Sequence, residues 1–249
     1  MVSRPVCLPV LARLVVKGTN SGSRLWLARR MAEDLVEALP GRMIRVVADA
    51  AYAGKELRNL PAAVTWTTRL RSNAALHELP PPRTGRRGRP PVKGARLPAL
   101  DRIAAAAAFT PATVTRYRKT AAVQAAAITC LWHTVFGSRP VQVILVRDRA
   151  PGGYDIALVT TDLDASPAQV IERYAARWSI EVAFEDARQV FGAGQARNRT
   201  ARAVRATIPF TLTCQTLAGL WYATVRPARP LVAVHDHGRF ARPSPPDLP

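Results

Sequence analysis

Acidic residues are scarce in this chain. Seventeen Asp and Glu stand against 36 Lys and Arg, a formal net charge of +19. Lysine is scarcer still: only Lys17, Lys55, Lys93 and Lys119 are present, so the arginines number 36 − 4 = 32. This balance excludes a protein that works through a broad acidic surface. Arginine offers a planar fork of donors matched to phosphate oxygens, so a polyanion, most simply nucleic acid, is the partner the composition points to. Arg-, Ala- and Pro-rich composition also follows from a GC-rich coding sequence, so charge alone does not decide it. Cysteine is nearly absent. Cys7, Cys130 and Cys214 are odd in number, far apart and in no C-x-x-C or Cys/His spacing, which excludes a disulfide framework and a zinc ribbon. That usage fits a reducing, cytoplasmic setting with buried thiols. A signal peptide is not expected, because Arg13 interrupts a short N-terminal apolar run that has no cleavage site. Nor is a membrane span.

What is present is enough for a core. Hydrophobic residues make up 48% of 249, which argues against wholesale disorder and suits one large domain or two small ones. Val6 to Lys17 reads as a strand. Ser23 is a candidate cap for a helix from Leu25 to Leu39, whose apolar spacing stops at Pro40-Gly41. Ile44 to Ala50 and Val64 to Arg71 read as strands around one or two helical turns between Tyr52 and Leu60. This order suggests an α/β layer. Pro80 to Pro98 is a Pro/Gly/Arg loop with no core-forming pattern. A short helix over Leu100 to Phe109 precedes strand-like runs at Thr113 to Val135, with room for a bend, Val141 to Arg147 and Tyr154 to Thr161. Gly152-Gly153 is the expected turn between the last two, and Ser166-Pro167 opens a helix. A further helix is expected from Ala201 to Tyr222, and the Pro/Arg-rich tail from Arg226 carries no element.

The helix after Ser166 holds the most specific pattern. Tyr174, Arg177, Glu181 and Arg188 stand at offsets of zero, three, seven and fourteen. On one continuous helix from Arg173 to Phe191 they share an arc of about 60°. Ile171, Trp178 and Val182 flank the arc on one side, and Ile180, Phe184 and Phe191 on the other. The opposite face, Glu172, Ala176, Ser179, Ala183 and Asp186, reads as water-facing. The charged arc is therefore expected to point towards the protein or a ligand, where charge must be paired or bind a metal. A simple Arg177–Glu181 ion pair is the plainer explanation, and Glu185, one turn on, is a competing carboxylate.

Asp49 is the second carboxylate of interest. It ends the run Val-Val-Ala-Asp, and ligands of α/β sheets gather at the carboxyl ends of strands. A single aspartate after a strand is as readily a turn residue. Hard divalent cations such as Mg²⁺ take one or two protein carboxylates plus substrate phosphate, and a pair of such ions suits phosphodiester chemistry. Asp49 with Glu181 would serve as ligands, and Arg177, Arg188 and Tyr174 would hold phosphates beside them.

The spacing Tyr174-x2-Arg177-x3-Glu181-x6-Arg188 resembles the Y-x2-R-x3-E-x6-K signature of a large group of insertion-sequence DDE transposases, with Arg in the final Lys position. The segment Val-Val-Ala-Asp-Ala-Ala-Tyr-Ala-Gly around Asp49 resembles the group's second acidic segment. The resemblance covers roughly residues 5–223 and implies an RNase H-like mixed sheet with helices, interrupted by a β-rich insertion. Residues 5–71 would begin the catalytic core, 72–165 hold the basic loop and insertion, 166–225 close the core with helices, and 226–249 form a disordered tail. It implies Asp49 and Glu181 as catalytic metal ligands for two Mg²⁺ or Mn²⁺ ions. It also implies DNA contacts from Tyr174, Arg177 and Arg188, and a homodimer on transposon ends.

One part of the pattern is missing. The family's first catalytic aspartate lies on an early strand, whereas no aspartate precedes Asp34, which falls on an expected helix. The chain is therefore expected to be a truncated remnant lacking its first strand and first ligand. The alternative is a noncatalytic DNA-binding protein derived from a transposase. Arg87-Gly88-Arg89-Pro90 resembles an AT-hook core, whose arginines enter a narrow minor groove; a solvated loop touching phosphates is the simpler role. His235 and His237 in the tail make a weak metal motif.

Overall fold

The computed structural model describes residues 6–15, 24–82, 89–116, 119–148, 152–195, 197 and 199–225. Six strands form one mixed sheet: β1 (Ile44–Ala48), β2 (Val64–Arg69), β3 (Thr110–Arg116), β4 (Lys119–Cys130), β5 (Val141–Arg147) and β6 (Ile156–Thr160), in the order β1-β2-β6-β5-β4-β3. β1 and β2 are parallel, with Ile44 opposite Val64 and Ala48 opposite Thr68. Every other neighbouring pair is antiparallel. The helices are α1 (Arg24–Ala38), α2 (Leu100–Ala106), α3 (His133–Phe136), α4 (Pro167–Ala176), α5 (Ser179–Gln189) and α6 (Ala201–Val225).

Alternation along the strands feeds two cores, because successive side chains point to opposite faces. On one face Val64, Trp66, Val141, Val143, Leu145, Ala157 and Val159 meet Leu25 and Ala32 of α1, Leu100 of α2 and Phe136 of α3. On the other, Val114, Val123, Ile144, Val146 and Leu158 meet Val170 and Ile171 of α4. Between β2 and β6 the second face carries hydroxyls: Thr67 and Thr160 lie 2.9 Å apart, and both are buried. The pair satisfies two groups that would otherwise be desolvated without a partner.

Two expectations change. The Val6–Lys17 strand is not formed: the described part, residues 6–15, joins no sheet. It lies along α6 instead, with the Pro9 carbonyl accepting from Thr216 Oγ1 and Leu8 packed so tightly on Gly219 that a Cβ there would sit 2.8 Å from Leu8 Cδ2. Pro5 and Pro9 flank its start, and proline removes the ladder donors a strand needs. The run Thr113 to Val135 is a β3–β4 hairpin followed by α3, not one strand with a bend. The strands from 110 to 160 pair in the same sheet as β1 and β2. Ser23, Lys17, Arg87, Gly88, His235 and His237 lie outside the described residues.

Candidate active site

β1 delivers Asp49. The strand is fixed by its ladder to β2, and the chain turns immediately after it. Tyr52 N donates to the Asp49 carbonyl at 3.0 Å, Thr68 Oγ1 donates to the same carbonyl at 2.7 Å, and Ala51 N donates to Asp49 Oδ1 at 2.8 Å. The indole Nε1 of buried Trp66 donates to the Tyr52 carbonyl at 3.1 Å, tying the turn to the first core. Asp49 is the turn residue that the sequence allowed, and its place at a strand end leaves it exposed. One carboxylate oxygen closes an Asx turn, while the residue is exposed and makes no ion pair among the described residues.

Glu181 is delivered differently. Ser166 caps α4 with a full capping box: its side chain accepts from Gln169 N at 3.3 Å, and Gln169 Oε1 accepts from Ser166 N at 3.0 Å. Val170 and Ile171 then bury α4 against the sheet. Arg173 pairs with Asp162 at 2.6 Å, and Arg45 of β1 approaches the same carboxylate at 3.7 Å. The expected single helix from Arg173 to Phe191 does not run through. At Arg177 and Trp178 the bonds tighten to Arg177 N to Tyr174 O and Trp178 N to Ala175 O, both 3.2 Å, and α5 starts at Ser179. These i to i−3 bonds are the tighter turn that often ends a helix.

The faces of α5 also differ from expectation. Ala183 and Ala187 are buried and Gln215 Nε2 of α6 donates to the Ala183 carbonyl at 2.9 Å, whereas Trp178, Ile180 and Phe184 are exposed. Ala183, assigned to water, lies at the α5–α6 seam because two alanines let the helices approach closely. Glu172, also assigned to water, accepts from Thr115 N at 2.7 Å.

Around the tight turn, the structure gathers three of the four signature residues. Arg177 Nη1 lies 3.2 Å from Glu181 Oε1, and its guanidinium carbon lies 5.7 Å from the Tyr174 ring centroid. Its Nε is buried without a hydrogen-bond partner. Arg188 is exposed two turns along α5. Arg89 is exposed at the edge of the basic loop. No hydrogen bond or ion pair joins Asp49 to Glu181, and among the described residues no group of three His, Cys, Asp or Glu could hold a metal. Asp34, the earliest aspartate, pairs with Arg13 at 3.0 Å on α1.

A family model described as Transposase DDE domain matches residues 28–217. The chain belongs to the DDE transposase family. The match takes in Asp49, Tyr174, Arg177, Glu181 and Arg188 and spans every strand of the sheet. A comparison with curated proteins finds no match. No helix among the described residues is long and apolar enough to cross a membrane.

Sequence reasoning missed how this transposase domain spends its arginines. Arg29 of α1 donates to the carbonyls of Glu56 and Arg58 at 2.6 and 2.8 Å, pinning the turn over residues 55–57. Arg139 donates to the Val64 carbonyl at 3.0 Å, and burial holds its pKa below the ordinary value. Arg147 lies 3.8 Å over the Phe109 ring. Composition counts these as free positive charge; nothing in their local sequence marks them as structural.

The base of the basic loop is similarly built. Glu78 N donates to the Ala95 carbonyl and Leu97 N to the Leu76 carbonyl, while buried His77 exchanges backbone bonds with Leu131. Lys93 Nζ lies 3.1 Å from His77 Nε2. Desolvation, followed by the nearby cations Lys93, His133 and Arg96, lowers the His77 pKa.

Proposed function

We propose that this chain acts on DNA ends in transposition, with Asp49 and Glu181 as the carboxylates of a metal-dependent cleavage and joining site. The observation that supports this best is Asp49: an exposed carboxylate at the carboxyl end of a parallel strand, with one oxygen held by Ala51 N. The donor chemistry fits Mg²⁺ or Mn²⁺, since hard oxygen ligands are what those ions take. Such ions, when bound, activate the attacking oxygen and stabilise the leaving one. The chain's own residues prepare the rest. The hydrogen bonds from Thr68 and Tyr52 keep Asp49 in place before any ligand arrives. Arg177 holds Glu181 until a cation competes for it. Arg177, Arg188 and Tyr174 then position phosphates, while Arg87 and Arg89 of the basic loop add backbone contacts. The residues work as one copy of a pair on the DNA, within an RNase H-like arrangement in which 72–165 is an insertion between the two halves of the core.

The first aspartate of the family signature has no counterpart on β1 or α1, where Asp34 is engaged by Arg13, so this chain alone binds DNA without completing strand transfer. The same departure from the signature equally favours a noncatalytic DNA-binding protein. Two measurements separate the outcomes. Mn²⁺ binding that is lost in Asp49→Asn/Glu181→Gln supports the site; binding unchanged in that variant overturns it. Robust strand transfer by the purified chain, with matched ends and Mg²⁺, overturns the reading that these residues bind DNA without completing the reaction.

A further inference from the structure

The stem of the basic loop is a small ladder. Residues 76–79 lead out to the loop and 93–97 return from it. Glu78 N donates to the Ala95 carbonyl at 2.8 Å, Gly94 N to the Glu78 carbonyl at 3.0 Å and Leu97 N to the Leu76 carbonyl at 2.9 Å. On the far side His77 N donates to the Leu131 carbonyl at 2.9 Å and Leu131 N to the His77 carbonyl at 2.7 Å, which ties the stem to the chain just after β4. The two limbs touch. A Cβ on Gly94 would sit 2.6 Å from the Leu79 carbonyl oxygen, so a glycine is what lets residue 94 pass. His77 is the central residue of this stem, and it is buried.

The ring of His77 has one polar partner. Lys93 Nζ lies 3.1 Å from His77 Nε2. An ammonium donates and cannot accept, so Nε2 is the acceptor and the ring is neutral, with its proton on Nδ1. Nδ1 is buried without a hydrogen-bond partner. A second proton would set an N–H of a charged ring against an ammonium. Desolvation is the largest force against that proton, and Lys93 and Arg96 of the returning limb and His133 of α3 add to it. No carboxylate among the described residues favours it, and the neighbouring Glu78 is exposed.

We propose that His77 and Lys93 form a proton-operated latch on the stem of the basic loop. With the ring neutral, Lys93 bonds it and the returning limb stays closed on residues 76–79. A proton on His77 turns the contact into two like charges 3.1 Å apart. Lys93 then withdraws, and the ladder opens first where Gly94, its chain neighbour, bonds Glu78. Opening frees the Lys93 ammonium and loosens the root from which exposed Arg89 and Arg96 are presented. The closed ring is harder to protonate than the open one. Closure is therefore complete above 6.5 and is lost as pH falls below it. The latch uses neither Asp49 nor Glu181, so it stands or fails apart from the cleavage site.

The test is hydrogen exchange of the full chain at about pH 7.5 and about pH 5, read as protection factors so that the intrinsic pH dependence of exchange cancels. The amides of Glu78, Gly94 and Leu97 should lose at least about threefold in protection on acidification, and about tenfold for each unit by which closure lowers the histidine pKa. The ladder of β5 should keep its own protection. His77→Gln, whose amide oxygen accepts from Lys93 at either pH, should abolish the loss, and His133→Gln should not. Titration of the ring by NMR is the second readout: Lys93→Met, a change at an exposed site, should raise the His77 pKa. If His77→Gln does not fold, this titration decides alone. Stem protection that ignores pH overturns the latch. So does a loss that persists in folded His77→Gln or vanishes in His133→Gln, or a ring titration that Lys93→Met leaves unmoved.

Discussion

Asp49 and Glu181 are held in opposite ways. Asp49 leaves a strand in a ladder, with its carbonyl bonded twice and its turn tied to a fully buried tryptophan. Glu181 sits on α5, whose Ala183 and Ala187 are buried and whose Ala183 carbonyl accepts from Gln215 of α6, beyond a tight turn, with Arg177 as its close partner. One carboxylate is placed by the core; the other is placed by a hinge-like junction and a charge. In a site assembled from both, the strand end is the fixed reference and the helix is the part that adjusts.

The largest expected effect attacks the fixed side. Trp66→Ala removes a fully buried indole and the bond to the Tyr52 carbonyl, and should cost about 3–5 kcal/mol in urea unfolding. Ala183→Leu overpacks the α5–α6 seam and should cost about 1–3 kcal/mol. Hydrogen exchange should then show α5 losing protection while β1 keeps it; equal loss in both would end the contrast. Thr68→Val deletes the donor to the Asp49 carbonyl and should cost about 1 kcal/mol, with its effect centred on the 49–52 turn. Glu181→Gln should change stability by less than about 1 kcal/mol, since the Glu181 end of its pair with Arg177 is exposed and solvent screens it. Loss of Mn²⁺ binding with so little loss of stability is the signature expected of the adjustable carboxylate. The smallest effect concerns His77. Its folded pKa lies below 6.5, so the unfolded chain takes up its proton first and stability falls as pH drops through 6.5. The unfolding midpoint should decline on that side of neutrality less steeply in His77→Gln than in the parent.

Much of the sheet was legible because local signals agreed. β1, β2, β5 and β6 lie where Val, Ile and Thr cluster, and the Ser166 cap with Pro167 marks the start of α4 to the residue. Tyr174, Arg177 and Glu181 lie together although the single helix expected to align them does not form, and Asp49 follows a strand end as expected. What was not legible depends on distant partners. The orientation of α5 is decided by whether α6 packs against its alanines or its aromatics, and periodicity describes both stripes without ranking them. The fate of Val6 to Lys17 turned on two prolines against a run of valines and leucines. The break at Arg177 has no Gly or Pro to announce it. The structural arginines, Arg29 and Arg139 above all, are recognised only through carbonyls 27 and 75 residues away.

β1 has a ladder on one side only among the described residues. Its outer backbone donors and acceptors are the kind of margin on which foreign strands grow. Arg45, the second residue of β1, keeps an exposed side chain leaning towards Asp162, and a charge there makes the margin a poor template. A charge on the outermost described strand thus works against one chain adding its edge to another.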